Sequence, residues 1–186
     1  MSKKEQLFDA VLRLTADQGL WDAPMSKVAS YANMAVGSIY HHFKSKEQLL
    51  IALYIQTQAQ MGEVLIPTPT FDSYEEEFYR IFNKGYTFMI GNPYLFKYAM
   101  QVGNTPLLSY TDKQKAASYF TAFQQFFENG INQSALQPGN TLLIANFTLA
   151  QIQTLAKTQL EGQLYVTDLM QKQHIDRSWI AIKKQH

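Results

Sequence analysis

The chain has 186 residues with 16 basic and 15 acidic side chains, and it contains no cysteine. The lack of cysteine excludes disulfides, thiolate zinc sites and cysteine nucleophiles. Because the net charge is only +1, binding to nucleic acid would have to depend on a local cluster of basic residues. No stretch approaches the ~18 apolar residues of a membrane span, and the N-terminal residues lack the apolar run of a signal peptide. We therefore expect a cytoplasmic protein with no membrane partner.

Apolar residues recur at helical spacing along the chain, as the stripe of Leu7, Val11 and Leu14 illustrates. No stretch alternates apolar and polar residues for long enough to predict a strand. The pattern therefore predicts an all-α protein of about nine helices. Three short helices are expected within residues 1–46, and longer helices are expected within residues 47–186.

Residues 25–50 have the pattern of two short helices joined by a turn. Pro24 suits the first turn of a helix, and Asn33 suits the left-handed conformation that ends one. In the second helix, Ile39 and Phe43 are four residues apart and form the predicted buried pair. This arrangement predicts a helix-turn-helix, whose second helix enters the DNA major groove.

The run from Gly37 to Leu50, GSIYHHFKSKEQLL, resembles the recognition helix of the TetR family of bacterial transcriptional regulators and the start of the helix that follows it. The stretch from Leu7 to Gly19 is similar to the first helix of that family. The resemblance implies a DNA-binding domain over residues 1–46. It also implies a ligand-binding and dimerisation domain over residues 47–186.

Two departures from the family pattern concern contacts with DNA. Ala23-Pro24 stands where the family has a Ser or Thr helix cap, and Asn33-Met34-Ala35 stands where the family has Gly-Val-Ser in the turn. The missing serine hydroxyl removes a potential phosphate contact. Gly37 has two interpretations, since its missing side chain permits close approach to a phosphate backbone but glycine also occurs simply as a turn residue.

The resemblance implies a set of DNA-contacting residues in and around the second helix of this motif. They are Lys27, Val36, Gly37, Ser38, Tyr40, His41, His42, Lys44 and Lys46. Tyr40 is expected to contact the backbone or a base edge, and Lys46 a phosphate at a helix N-terminus. Without the resemblance, Lys44 and Lys46 would be interpreted as a solvated helix junction. Adjacent His41 and His42 point about 100° apart and cannot easily share a metal ion, so no metal or cofactor is expected.

Residues 71–130 are rich in phenylalanine and tyrosine. Most of these residues can be explained as a helical core, but buried tyrosine hydroxyls need partners, and such residues also line ligand cavities. The resemblance favours a cavity. Its candidate wall residues are Phe82, Tyr86, Tyr98 and Phe123. The expected ligand is a small molecule that is uncharged or weakly polar.

The segments 142–160 and 164–182 are predicted to be the last two helices. The first is apolar around much of its circumference and needs cover on two sides. A second subunit would supply one side, and the resemblance implies a homodimer built from these two helices. The candidate interface residues are Phe147, Ile152 and Trp179.

The resemblance implies a non-enzymatic regulator, usually a repressor that a small-molecule inducer releases from its double-stranded DNA operator. The alternative is a DNA-binding protein of the same kind that a protein partner controls without an inducer, and the sequence discriminates poorly between the two. An enzyme is disfavoured because the sequence contains no glycine-rich phosphate loop and no HExxH motif.

Overall fold

The computed structural model describes residues 2–19 and 24–185, and within them the chain forms ten α-helices. They are α1 (Lys3–Gln18), α2 (Met25–Tyr31), α3 (Val36–His42), α4 (Lys46–Val64), α5 (Tyr74–Gly91), α6 (Pro93–Gly103), α7 (Tyr110–Ser118), α8 (Thr121–Asn132), α9 (Thr141–Leu160) and α10 (Asp168–Ile180). These residues contain no strand, and an isolated antiparallel bridge joins Leu136 and Lys183. The all-α prediction is confirmed, with one helix more than the approximate count of nine. Ala23, one of the two residues that replace the family's Ser or Thr helix cap, lies outside the described residues.

The helices divide into two compact units. The first unit comprises residues 1–59 and 92–116, and the second comprises residues 60–91 and 117–186. Helix α4 contributes residues to both units. The expected boundary after residue 46 separates a DNA-binding domain from a ligand-binding and dimerisation domain, and this functional division stays a prediction. No helix in the described part of the chain is both long enough and apolar enough to cross a bilayer.

The first unit is built around the apolar stripe of α1. Leu7, Val11 and Leu14 are buried in it, as their four-residue and three-residue spacing predicts. Helix α1 begins with a capping box, in which the Ser2 hydroxyl accepts from the Glu5 backbone N–H and the Glu5 carboxylate accepts from the Ser2 N–H. These two hydrogen bonds satisfy backbone donors that the first turn would otherwise leave without partners.

The core of the second unit lies where α5 meets α9. A Cβ atom added to Gly85 would lie 3.3 Å from two carbon atoms of Ile152 and 3.0 Å from Leu65. The absence of a side chain at Gly85 therefore lets the two helices approach closely. A tighter approach occurs at Gly62 in the last turns of α4, where an added Cβ would lie 2.3 Å from the carbonyl oxygen of Tyr119.

The loop between α4 and α5 is fixed to α5 by a buried carboxylate. Glu77 accepts hydrogen bonds from the Thr68 backbone N–H at 2.6 Å and from its hydroxyl at 2.9 Å. Arg80 donates to the same carboxylate and, at 3.1 Å, to the carbonyl oxygen of Ile66. Burial raises the pKa of Glu77, but the hydrogen bonds from Arg80 and Thr68 outweigh this effect and hold its pKa below the usual range.

Candidate nucleic-acid interface

Helices α2 and α3 are joined by a short turn in the first unit. Asn33, in this turn, has a φ of 51°, which confirms the left-handed conformation that its side chain predicts. The Met34 N–H donates to the Ala29 carbonyl at 2.9 Å, which closes the end of α2. Helix α3 then begins after Ala35, whose extended backbone provides the N-cap position without a side-chain hydrogen bond. Two short helices with this turn form a helix-turn-helix.

Helix α3 has one anchored face and one exposed face. Ile39 is fully buried, and Phe43 is half-buried with its ring centroid 6.2 Å from that of Phe8. The predicted DNA-contacting residues divide by exposure. Val36, Gly37, Tyr40, His41, His42 and Lys44 are exposed, and Lys27, Ser38 and Lys46 are half-buried. The anchored face holds the helix, so the opposite face is free to approach a large ligand.

Gly37 lies on the exposed face, and a Cβ atom added to it would have no neighbour within 4 Å. Packing within the protein therefore does not require glycine at this position. The glycine does lower the helix propensity of α3. This combination favours the interpretation that the missing side chain admits a close partner from outside the chain.

The start of α4 lies directly after α3 in the chain. Ser45 Oγ accepts from the Gln48 N–H at 3.3 Å, and Gln48 Oε1 accepts from the Lys44 N–H at 3.0 Å. Lys46 is the first residue of α4, as predicted. A hydrogen bond with Ser45 lowers the pKa of Glu47, so this carboxylate remains charged among the lysines. The junction is thus an ordered, charged turn at a helix N-terminus, where an anion is stabilised.

His41 and His42 are both exposed, and their ring centroids lie 5.2 Å apart with the rings at 75°. The two imidazoles therefore contact each other edge to face, and both are accessible at the end of α3.

The four predicted ligand-wall residues are all buried, but they do not lie in the same unit. Phe82, Tyr86 and Phe123 belong to the second unit, and Tyr98 belongs to the first. The Tyr86 hydroxyl donates to Gln159 Oε1 at 2.7 Å. The Tyr98 hydroxyl donates to the carbonyl oxygen of Leu50 at 2.6 Å. Both tyrosine hydroxyls therefore have a hydrogen-bond partner within the protein. Gln159 was not predicted from the sequence, and scattered glutamines give no signal that would have identified it.

The predicted interface residues differ in exposure. Phe147 is 38% exposed, whereas Ile152 is fully buried against α5 and Trp179 is buried with its ring 5.3 Å from that of Phe78. The burial of Ile152 and Trp179 is thus explained within one chain. The last two helices expose further apolar residues. Leu142, Leu143 and Ile180 belong to the apolar surface that the sequence predicts for these helices, and all three are exposed. Leu164, Leu169 and Met170 are also exposed but were not predicted.

Comparison with known proteins gives matches to two family models. The model for bacterial regulatory proteins of the tetR family matches residues 7–53. The model for the tetracyclin repressor-like C-terminal domain matches residues 73–183. Together the two matches cover the helix-turn-helix and most of the longer helices.

Individual relatives agree with these family matches. The chain is 38% identical over 61 residues to the "Fatty acid metabolism regulator protein" of Bacillus subtilis, a match that covers 33% of this chain and 31% of the relative. Among solved structures, a TetR family transcription regulator from Marinobacter aquaeolei has a TM-score of 0.88 at 20% identity, over 98% of this chain and 96% of that one. FadR from Bacillus subtilis in complex with stearoyl-CoA has a TM-score of 0.74 at 20% identity, over 94% and 96%. At these identities the structural likeness concerns the fold alone, and the curated relative is matched over less than a third of its length.

Proposed function

Because the chain belongs to the tetR family of bacterial regulatory proteins, we propose that it is a homodimeric cytoplasmic repressor. The dimer binds a double-stranded DNA operator and dissociates from it when a small apolar or amphipathic molecule binds to the protein. The observation that carries the DNA-binding part is the exposed face of α3. This face lies opposite the buried Ile39 and presents a glycine, a tyrosine and two histidines. Such a helix is the element that a helix-turn-helix inserts into the major groove.

The proposed roles follow from the position of each side chain. Tyr40 is exposed at the centre of α3 and contacts base edges or the backbone, while Ser38 donates to a phosphate or a base. Lys46 and Lys44 contact phosphates at the start of α4. Phosphate contacts supply affinity without sequence preference, and base contacts supply specificity. Val36, Gly37, Lys27 and the two histidines complete the proposed surface.

A dimer is proposed because one short recognition helix reads only a few base pairs. The exposed apolar residues of α9 and α10 support this proposal, since a helical face of this kind is stabilised when a second copy covers it. Phe147, 38% exposed, is the predicted interface residue whose side chain is available for that contact. Two copies related by a two-fold axis would read a pseudo-palindromic operator.

The ligand is proposed to be apolar or amphipathic because Phe82, Tyr86 and Phe123 provide buried aromatic surface in the second unit. A structurally similar protein was crystallised with stearoyl-CoA, which supports a ligand that carries an apolar chain. A ligand lowers DNA affinity only if it binds more tightly to a conformation that fits DNA poorly. We propose that a ligand bound near these aromatic residues stabilises such a conformation and thereby lowers the affinity for DNA.

The alternative function is a DNA-binding regulator that a protein partner controls without a small-molecule inducer. The packing of the aromatic rings favours this alternative. The ring centroids of Phe123 and Phe127 are 5.0 Å apart, and those of Phe126 and Phe127 are 5.2 Å apart. A titration of the DNA-bound protein with long-chain alcohols, fatty acids and acyl-CoA separates the two functions, because only the first predicts that an apolar or amphipathic molecule of this kind releases the DNA.

The DNA-binding proposal is tested by selection of duplexes from a random pool with the full chain. We expect enrichment of a pseudo-palindrome, and its affinity should fall sharply in Tyr40→Ala. Tyr94→Ala is the matched control, because Tyr94 lies in the same unit and is 46% exposed against 43% for Tyr40. Failure to enrich any sequence, or equal losses in the two variants, would contradict the proposal.

A further inference from the structure

We infer that Lys4, in the first turn of α1, contacts a DNA phosphate beside the end of α3. This contact extends the DNA-binding surface onto a helix outside the helix-turn-helix. The inference rests on the proposed role of α3 in DNA binding. It adds a residue that positions the protein on the duplex and does not read the sequence.

A series of contacts connects Lys4 to α3. The Lys4 ammonium lies over the Phe8 ring, 5.2 Å from its centroid. The Phe8 ring centroid lies 6.2 Å from that of Phe43, the residue at which α3 ends. The exposed His42 and Lys44 flank Phe43 in the chain. Two successive ring contacts therefore connect the Lys4 ammonium to the residue at which α3 ends.

The Lys4 side chain is exposed but restrained. Its attraction to the negatively charged face of the Phe8 ring limits the conformations that the four-carbon stem adopts. The backbone beneath it is fixed by the capping box between Ser2 and Glu5. A restrained ammonium loses less conformational entropy when it contacts a phosphate than a freely moving one.

The acidic residues of α1 do not neutralise this ammonium. The Glu5 carboxylate accepts from the Ser2 N–H at 2.7 Å, and the Asp9 carboxylate pairs with Arg13 at 2.8 Å. Within residues 2–19 and 24–185, neither Lys4 nor Lys44 forms a salt bridge. A negatively charged backbone that runs past the end of α3 would pair with both lysines.

The salt dependence of DNA binding tests the inference without knowledge of the operator. The affinity of the full chain for a mixed-sequence duplex is measured between 50 and 200 mM salt, for the wild type and for Lys4→Gln. Removal of one phosphate contact reduces the slope of log affinity against log salt by about 0.9 on duplex DNA. Lys84→Gln is the charge-matched control on the exposed side of α5 in the other unit, and it should retain the wild-type slope. Lys4→Arg should also retain that slope.

The outcomes distinguish this inference from the proposal on which it rests. If the slope for Lys4→Gln equals that for Lys84→Gln, the inference is overturned, whatever the α3 variants do. If Tyr40→Ala binds the selected duplex as tightly as Tyr94→Ala does, the proposed role of α3 fails instead. Lys4 is exposed and Lys4→Gln loses one cation–π contact, so all the lysine variants should remain folded at the temperature of the binding assay, as thermal unfolding can verify.

Discussion

The Tyr98 hydroxyl donates a 2.6 Å hydrogen bond to the carbonyl oxygen of Leu50, which connects α6 to α4 within the first unit. Tyr98 is fully buried, and this burial raises the pKa of its hydroxyl. The hydroxyl therefore stays neutral and remains a donor at physiological pH. A residue predicted to contact a ligand is thus also a structural contact between two helices.

Removal of this hydroxyl should destabilise the protein. We expect Tyr98→Phe to lower the free energy of unfolding by about 1 kcal/mol, the usual net value of one hydrogen bond. Urea denaturation measures this change, and the exposed Tyr94→Phe should show almost none. The ligand-wall prediction for Tyr98 is retained only if Tyr98→Phe also weakens the response to an inducer that the wild type recognises.

Two glycines should respond in opposite ways to the same substitution. Gly37→Ala should fold as well as the wild type or better, because its Cβ would meet nothing within 4 Å and alanine favours a helix. Its DNA affinity should nevertheless fall at least tenfold. Gly62→Ala should be strongly destabilised, because its Cβ would lie 2.3 Å from the Tyr119 carbonyl oxygen. Thermal unfolding and DNA titration of both variants test the pair, and unchanged DNA affinity in Gly37→Ala would favour the turn interpretation.

The Glu77 network should make stability depend on pH. The pKa of Glu77 is lower in the folded protein than its ordinary value of 4.5. Its ionisation therefore stabilises the folded state above about pH 4.5, and this stabilisation is lost as the pH falls. Glu77→Gln should cost about 3 kcal/mol at pH 7, because Arg80 would be left partly buried without its partner. The cost should shrink below pH 4.5.

The exposed carboxylate of Glu75 on the same helix provides the control for this prediction. Glu75→Gln should change the free energy of unfolding by less than about 0.5 kcal/mol at pH 7. An equal cost of Glu77→Gln at pH 7 and at pH 3.5 would show that ionisation of Glu77 does not contribute.

A charge at position 147 should disrupt the proposed dimer. Phe147→Asp would place an unpaired carboxylate in an apolar interface, which costs several kcal/mol. Light scattering at micromolar concentration should then report monomers. Tyr110→Asp, at an aromatic residue 75% exposed on α7, should leave the assembly unchanged. A monomeric wild type at this concentration would contradict the proposed assembly.

Local features of the fold could be predicted from the sequence. The left-handed Asn33, the buried Ile39 and the helix that starts at Lys46 each depend on a few neighbouring residues. The partner of Tyr98 could not be predicted, because Leu50 lies 48 residues away. Periodicity identifies an apolar face but not the element that covers it. For this reason the sequence predicts Ile152 at a subunit interface, whereas in the structure α5 of the same chain packs against it.

Two copies of α3 are proposed to read one operator from the major groove, and every other functional proposal depends on this step. Hydroxyl-radical footprinting of the full chain on the selected duplex measures it. We expect two symmetric protected regions with centres about 34–36 Å apart, one turn of the DNA helix or a multiple of it. Both regions should disappear together in Tyr40→Ala. A single unpaired region, or protection that persists in Tyr40→Ala, would show that α3 does not read the operator in this way.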